Sequence, residues 1–173
     1  MATMTIESGL GVERSASQPA LSGGDLIYRL EGELRGGAPV DTCPEGIRFV
    51  HGLDATVVAG PFAGDRLTGL DQFTIRPDGT VSLAGPQTIE SGGTPVSVEL
   101  RAILVQPSEK ERPRPEVVLN PGYDFPDLDF RLTGSATIRT SDPRHGRFDG
   151  AIAAIEGWVN FESGELQVEA RAI

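Results

Sequence analysis

Glycine and proline interrupt this chain about once every five residues: 22 glycines and 13 prolines stand among 173. Both residues break helices, glycine through its entropy and proline through its missing N–H. Long helices are therefore excluded, and many short strands joined by tight turns are predicted. The apolar share of 38% is enough for a buried core. The length suits one domain with a loose end.

Other totals narrow the function classes. A single cysteine, Cys43, rules out an intramolecular disulfide framework. Only His51 and His145 offer imidazole, so no metal site and no cofactor are expected. No phosphate loop or dinucleotide fingerprint is present. A formal charge of −10 would repel phosphate backbones, which argues against nucleic acid as a partner. No apolar run is long enough for a membrane-spanning helix, and the first residues lack the pattern of a signal peptide. No membrane association and a cytoplasmic location are the expectation.

Residues 1–23 carry no sustained period and read as a flexible tail, and 24–173 read as the folded domain. From Asp25 onward the hydrophobic pattern alternates. Leu26, Tyr28, Leu30 and Leu34 share one face of a half-buried strand. GIRFVHG and DATVVAG give a second and a third strand, with Ile47, Phe49 and His51 on one side of the second. DQFTIR and TVSLAG flank an RPDGT turn and should pair antiparallel. PQTIES, then TPVSVELRAILV across Gly92-Gly93, continue the series, with the longest strand expected at Val96–Val105. Residues 106–126 hold five prolines and form a long loop, suited to a lid. LDFRLTGSATIRT, AIAAIEGWVNFE and ELQVEARAI complete the strands, the last two joined at Glu162-Ser163-Gly164. Eight to ten antiparallel strands linked by successive hairpins predict an all-β fold, a single antiparallel β-barrel. Such a barrel can hold one small ligand.

Three stretches together resemble the domain-of-unknown-function 3237 family. They are PFAGDRLTG (61–69), LDQFTIRPDGT (70–80) and TSDPRH (140–145). The resemblance runs over roughly residues 25–173. It implies an antiparallel barrel and, by analogy with similar barrels that hold apolar molecules and with family members in natural-product pathways, a small-molecule role. The chain departs from the family pattern at Gln72, Pro86, Gln87, His145, Arg147 and Asp149.

Several residues invite a chemical reading beside a plainer one. Asp71 shares a strand face with Phe73 and Ile75. A carboxyl on an apolar face has a raised pKa and serves as an acid or base, unless it only caps a turn in water. Asp142-Pro143-Arg144-His145 offers a forked cation, Arg144, and a proton-transfer group, His145; the alternative is an ion pair stitching a loop to the barrel. His51 lies beside Phe49 and is either catalytic or a core residue. Glu99 and Arg101 share a face and either meet across a lumen or face solvent. Trp158 and Glu156 share another, as a pocket wall with a proton donor or as a core tryptophan beside a rim glutamate. Tyr123 occupies the proline-rich loop, as a cover for the mouth or as a loop anchor.

The leading expectation is a cofactor-independent enzyme of cyclase, isomerase or hydro-lyase type acting on an apolar natural-product intermediate. Asp71, Glu156, His51 and His145 are its acid–base candidates. Tyr28, Phe49, Phe73, Glu99, Arg101, Tyr123, Arg144 and Trp158 would contact substrate. The alternatives are a non-catalytic carrier of a small apolar ligand and a protein-interaction or homo-oligomer-forming barrel with a packed interior.

Overall fold

Alternation decides both where the strands lie and which way they face. In β5 (Thr94–Val105), Val96, Val98, Leu100, Ala102 and Leu104 are buried, while Ser97, Glu99, Arg101, Ile103 and Val105 are exposed. The same rule places Leu67, Asp71, Phe73 and Ile75 of β3 (Arg66–Ile75) inside, with Val81, Leu83, Gln87 and Ile89 of β4 (Val81–Ser91). The remaining strands are β1 (Leu26–Cys43), β2 (Gly46–Ala59), β6 (Asp129–Arg139), β7 (Ile152–Asn160) and β8 (Glu165–Ala172). The computed structural model describes residues 20–106, 112–120 and 122–173. Each strand pairs antiparallel with the next, and β8 pairs with β1, so the sheet closes into a barrel of eight strands. Closure removes the sheet edges around the ring, while the part of β1 beyond Leu34 extends past β8 and pairs with β2 alone.

The RPDGT turn forms as its residues predict. Gly79 N–H donates to Arg76 C=O at 2.9 Å, and Thr80 N–H donates to Asp78 Oδ1 at 2.8 Å. Gly79 takes a φ of 80°, a conformation that glycine adopts without steric cost. DQFTIR and TVSLAG pair across it from Ile75↔Val81.

Some boundaries differ from the sequence reading. GIRFVHG and DATVVAG are one strand, β2, because Gly52 stays extended opposite Arg35 of β1 and Leu70 of β3. TVSLAG and PQTIES are likewise one strand, β4, held through Gly85-Pro86 by pairing to Leu100 and Glu99 of β5. The longest strand is β1 rather than β5. It runs on to Cys43 through irregularities near Gly36-Gly37 and Pro39, pairing throughout with β2. The proline-rich loop contains a four-residue helix, α1 (Pro115–Val118), with proline at its first position. Pro107 and Pro121 lie outside the described residues, as does the tail up to residue 19. Leu21, within the expected tail, packs against the core.

Many glycines are not turn residues. Gly32, Gly85, Gly134 and Gly157 sit at inward positions of strands, where a Cβ would come within 2.1–2.5 Å of a neighbouring strand's carbonyl oxygen. These are places where strands bend closely enough to close a narrow barrel. The space inside is then filled by Leu30, Leu53, Leu83, Leu100, Leu132 and Ile155, all buried. Each such side chain stabilises the fold by about 1.5–3 kcal/mol.

Gly134→Ala should therefore lose about 2–3 kcal/mol in urea unfolding, because its Cβ would stand 2.1 Å from the Arg101 carbonyl oxygen. Gly146→Ala, with nothing within 4 Å of the new Cβ, should stay within about 0.5 kcal/mol of the parent or gain slightly.

Candidate functional site

β3 carries Asp71 to the middle of the lumen, where it is 3% exposed. Burying a carboxyl is costly without partners, and the surrounding sequence supplies one. Gln87 on β4 points inward and donates from Nε2 to Asp71 Oδ1 at 2.9 Å. Gly85, also inward, leaves the volume the carboxyl occupies, since a Cβ there would lie 2.7 Å from Asp71 Oδ1. The β3–β4 pairing runs to Gly69↔Gln87 and resumes at Gln72↔Ala84. The gap falls where Pro86 has no N–H to give. Among the described residues, no hydrogen bond reaches the second carboxyl oxygen.

Burial pushes the Asp71 carboxyl up to about 6, against the smaller downward pull of the Gln87 bond. Tyr28 on β1 is fully buried; desolvation and the nearby Asp71 charge both push its phenol upward. Asp71 and Gln87 line a cavity of about 20 Å³ with Leu30, Leu53, Leu100 and Leu132. That is room for about one water molecule. The resting lumen is thus a packed apolar interior with one titratable carboxyl set in its wall.

One mouth of the barrel is closed by rings. Phe161, in the β7–β8 turn, packs on Phe73 at 5.1 Å, Phe125 at 5.0 Å and Phe130 at 5.2 Å between centroids. Tyr123 stacks edge-on against Phe125 at 5.1 Å, so the proline-rich loop contributes two rings to the plug. His51 joins it edge-on to Phe73 at 5.3 Å. His51 and Asp71 are direct cross-strand partners, so the structure sets two of the four acid–base candidates side by side. The His51 ring occupies the space a Cβ at Gly37 would need, and its buried Nδ1 has no hydrogen-bond partner among the described residues. Burial pushes its pKa down, which favours the neutral ring. Phe49 is half-buried on the same strand, opposite Phe73.

His145 lies at the other mouth. The 3₁₀ segment Pro143–Phe148 covers that end, capped by Asp142, whose side chain accepts from Arg144 N–H at 2.9 Å. His145 Nε2 is 3.0 Å from Ser91 Oγ, and its ring lies 4.6 Å from Phe62. Arg144 grips Asp142, and together with the backbone N–H it holds that carboxyl down at about 2. The D-P-R motif therefore stitches a cap to the barrel, the plainer of its two readings. Arg144 does not reach the lumen, and neither does His145.

Three more expectations are corrected by strand parity. Glu99 and Arg101 face outward, because Val98, Leu100 and Ala102 take the inside of β5. Glu156 is exposed for the same reason, since Ala153, Ile155 and Val159 fill the inside of β7. Trp158 is half-buried in the wall. It borders the lumen cavity and also an outer groove with Glu31, Glu33 and Gln167. Gln87 escaped the sequence reading; its one signal was the departure from the family pattern beside Pro86. Phe161 escaped it too, as a turn residue with no period to place it.

No protein-family model matches the chain, and no curated protein matches it. Solved structures do. A protein of unknown function from Clostridium acetobutylicum ATCC 824 is 18% identical at a TM-score of 0.66, covering 88% of this chain and 99% of its own. A conserved protein of unknown function from Rhodopseudomonas palustris is 18% identical at 0.59, covering 90% and 99%. A β-barrel-like protein from Acinetobacter baumannii AYE is 13% identical at 0.62, covering 91% and 99%. These likenesses show the fold.

The raised carboxyl makes stability depend on pH in a definite direction. Below the ordinary value of 3.8, Asp71 is protonated whether folded or unfolded and burial costs little. Above about 6 it is ionised in both states, and the folded protein bears the whole penalty, about 3 kcal/mol. Asp71→Asn should therefore gain about 2–3 kcal/mol over the parent at pH 8 and almost nothing at pH 3.5, read by urea denaturation at each pH.

Proposed function

We propose that this barrel admits a compact, mostly apolar small molecule to its lumen, and that Asp71 exchanges a proton with it. One observation carries the reading: a lone carboxyl, buried and tuned to about 6, in a lumen otherwise lined by aliphatic side chains, Phe73, Trp158 and Gln87. A carboxyl in such a place costs stability and contributes nothing to packing, so its use is chemical. A group with a pKa near the working pH is suited to general acid–base catalysis, worth about 10²–10⁴-fold. Cyclisation, isomerisation and addition or elimination of water are reactions that one such group can assist without a cofactor. A natural-product intermediate is the substrate class that the resemblance to the domain-of-unknown-function 3237 family favours. Membership of that family is part of the same proposal, supported by the order of three motifs and by the barrel.

The cavity of about 20 Å³ is too small for a substrate, so the ring plug must move aside first. Tyr123 and Phe125 are the parts of it carried on the proline-rich loop. His51, the cross-strand partner of Asp71, is the second acid–base group in this reading. The carrier reading keeps the same lumen and uses Asp71 only to orient the ligand.

Compact cyclic ketones in D₂O separate these readings. Titration should shift the methyl resonances of Leu30, Leu53, Leu100 and Leu132. The parent should incorporate deuterium beside the carbonyl, and Asp71→Asn should lose this by about 100-fold while still binding. Binding by both proteins without incorporation leaves the carrier. Unmoved lumen methyls with every ketone count against both and leave the packed barrel.

A further inference from the structure

The outer wall over β3–β6 differs in charge from the rest of the barrel. Elsewhere the outward residues form ion pairs, such as Arg29–Glu169, Arg35–Asp54 and Arg171–Glu169. In the middle of β3–β6 they are small or uncharged: Gln72, Ala84, Pro86, Thr133 and Ser135. Two grooves, of about 570 and 430 Å³, meet there and share Gln72, Ala84 and Arg101. Leu70 and Ile103 stand at their margins, 58% and 49% exposed. This is a continuous face with exposed apolar side chains on a protein whose charge is otherwise −10.

Two charges stand at its centre, Glu99 and Arg101, on the same face of β5, with Arg76 on the β3 side of one groove. They sit two residues apart, about 7 Å along the strand. Neither has an ion-pair partner among the described residues. One unpaired anion and one unpaired cation flanking a single residue, Leu100, make a self-complementary pattern. A two-fold axis over Leu100 lays two β5 strands antiparallel and face to face. Glu99 of each copy then meets Arg101 of the other, and the contact closes at two. A partner with one sign of charge would satisfy only one of the two groups, whereas a second copy satisfies both. The rest of the acidic surface repels between copies, which leaves this face as the one where approach is least opposed.

We propose that the β3–β6 face is a two-fold interface between two copies of this chain, registered by reciprocal Glu99–Arg101 pairs. This is independent of what the lumen does.

Sedimentation velocity of the full chain, from about 1 to 200 µM, tests it. A concentration-dependent monomer–dimer equilibrium is expected. Arg101→Glu sets like charges opposite each other twice and should weaken dimerisation by about 100-fold; Glu99→Arg should do the same. The double variant Glu99→Arg/Arg101→Glu exchanges the signs on both copies and should restore the dimer. Circular dichroism of each variant should match the parent, since both residues are on the outside. A parent that stays monomeric overturns the proposal, as does assembly beyond two copies. A dimer indifferent to the single changes places the interface on another face. A dimer lost in both singles and not restored in the double overturns the reciprocal pairing.

Discussion

Asp71 is a carboxyl in a place that does not solvate it, and much of the surrounding geometry follows from accommodating it. Gln87 gives it one hydrogen bond. Gly85 gives it volume. The β3–β4 ladder skips Leu70-Asp71 opposite Gly85-Pro86, where Pro86 has no N–H to give, and resumes in the same register. The two mouths are closed by different means. An aromatic plug seals one, and a capped 3₁₀ segment pinned by Asp142, Arg144 and the Ser91–His145 contact seals the other. Only the first uses side chains from a long loop, which makes it the side where the lumen can open at least cost.

The alternation of β3 was enough to place Asp71 beside Phe73 and Ile75, and the inward position follows. On β5 the wholly apolar set Val96, Val98, Leu100, Ala102 and Leu104 marks the inward face, but on β7 which face turns inward was not obvious from chemistry alone. β7 has apolar residues on both faces, Ala153, Ile155 and Val159 against Ile152, Ala154 and Trp158, and the largest side chain lies on the outer one. Closing a narrow barrel favours the smaller set inside, a constraint that belongs to the whole ring of strands and not to any one of them. Gln87 was invisible for a related reason. Gly85-Pro86 looks like a chain break in one dimension, whereas β5 holds the segment extended in three.

The glycines show the same division. Those at Gly79, Gly92, Gly93 and Gly164 have positive φ and mark turns, as their neighbours in sequence indicate. Those at Gly32, Gly85, Gly134 and Gly157 are set by the approach of a neighbouring strand, which local sequence does not encode. The pairing of His51 with Asp71 across β2–β3 belongs to this second kind. Neither residue's neighbourhood mentions the other, yet register makes them adjacent. The motif resemblance pointed to a barrel, and a barrel is present; the proposed proton-transfer role rests instead on Asp71 itself.

Direct titration of the Asp71 carboxyl carbon by NMR, in protein labelled with ¹³C at aspartate, tests the central claim. The resonance is assigned by its absence in Asp71→Asn. A midpoint near 6, well separated from the surface aspartates, is the expected result. A midpoint at or below 3.8 would mean a solvated or ion-paired carboxyl and would contradict a desolvated acid–base group in the lumen.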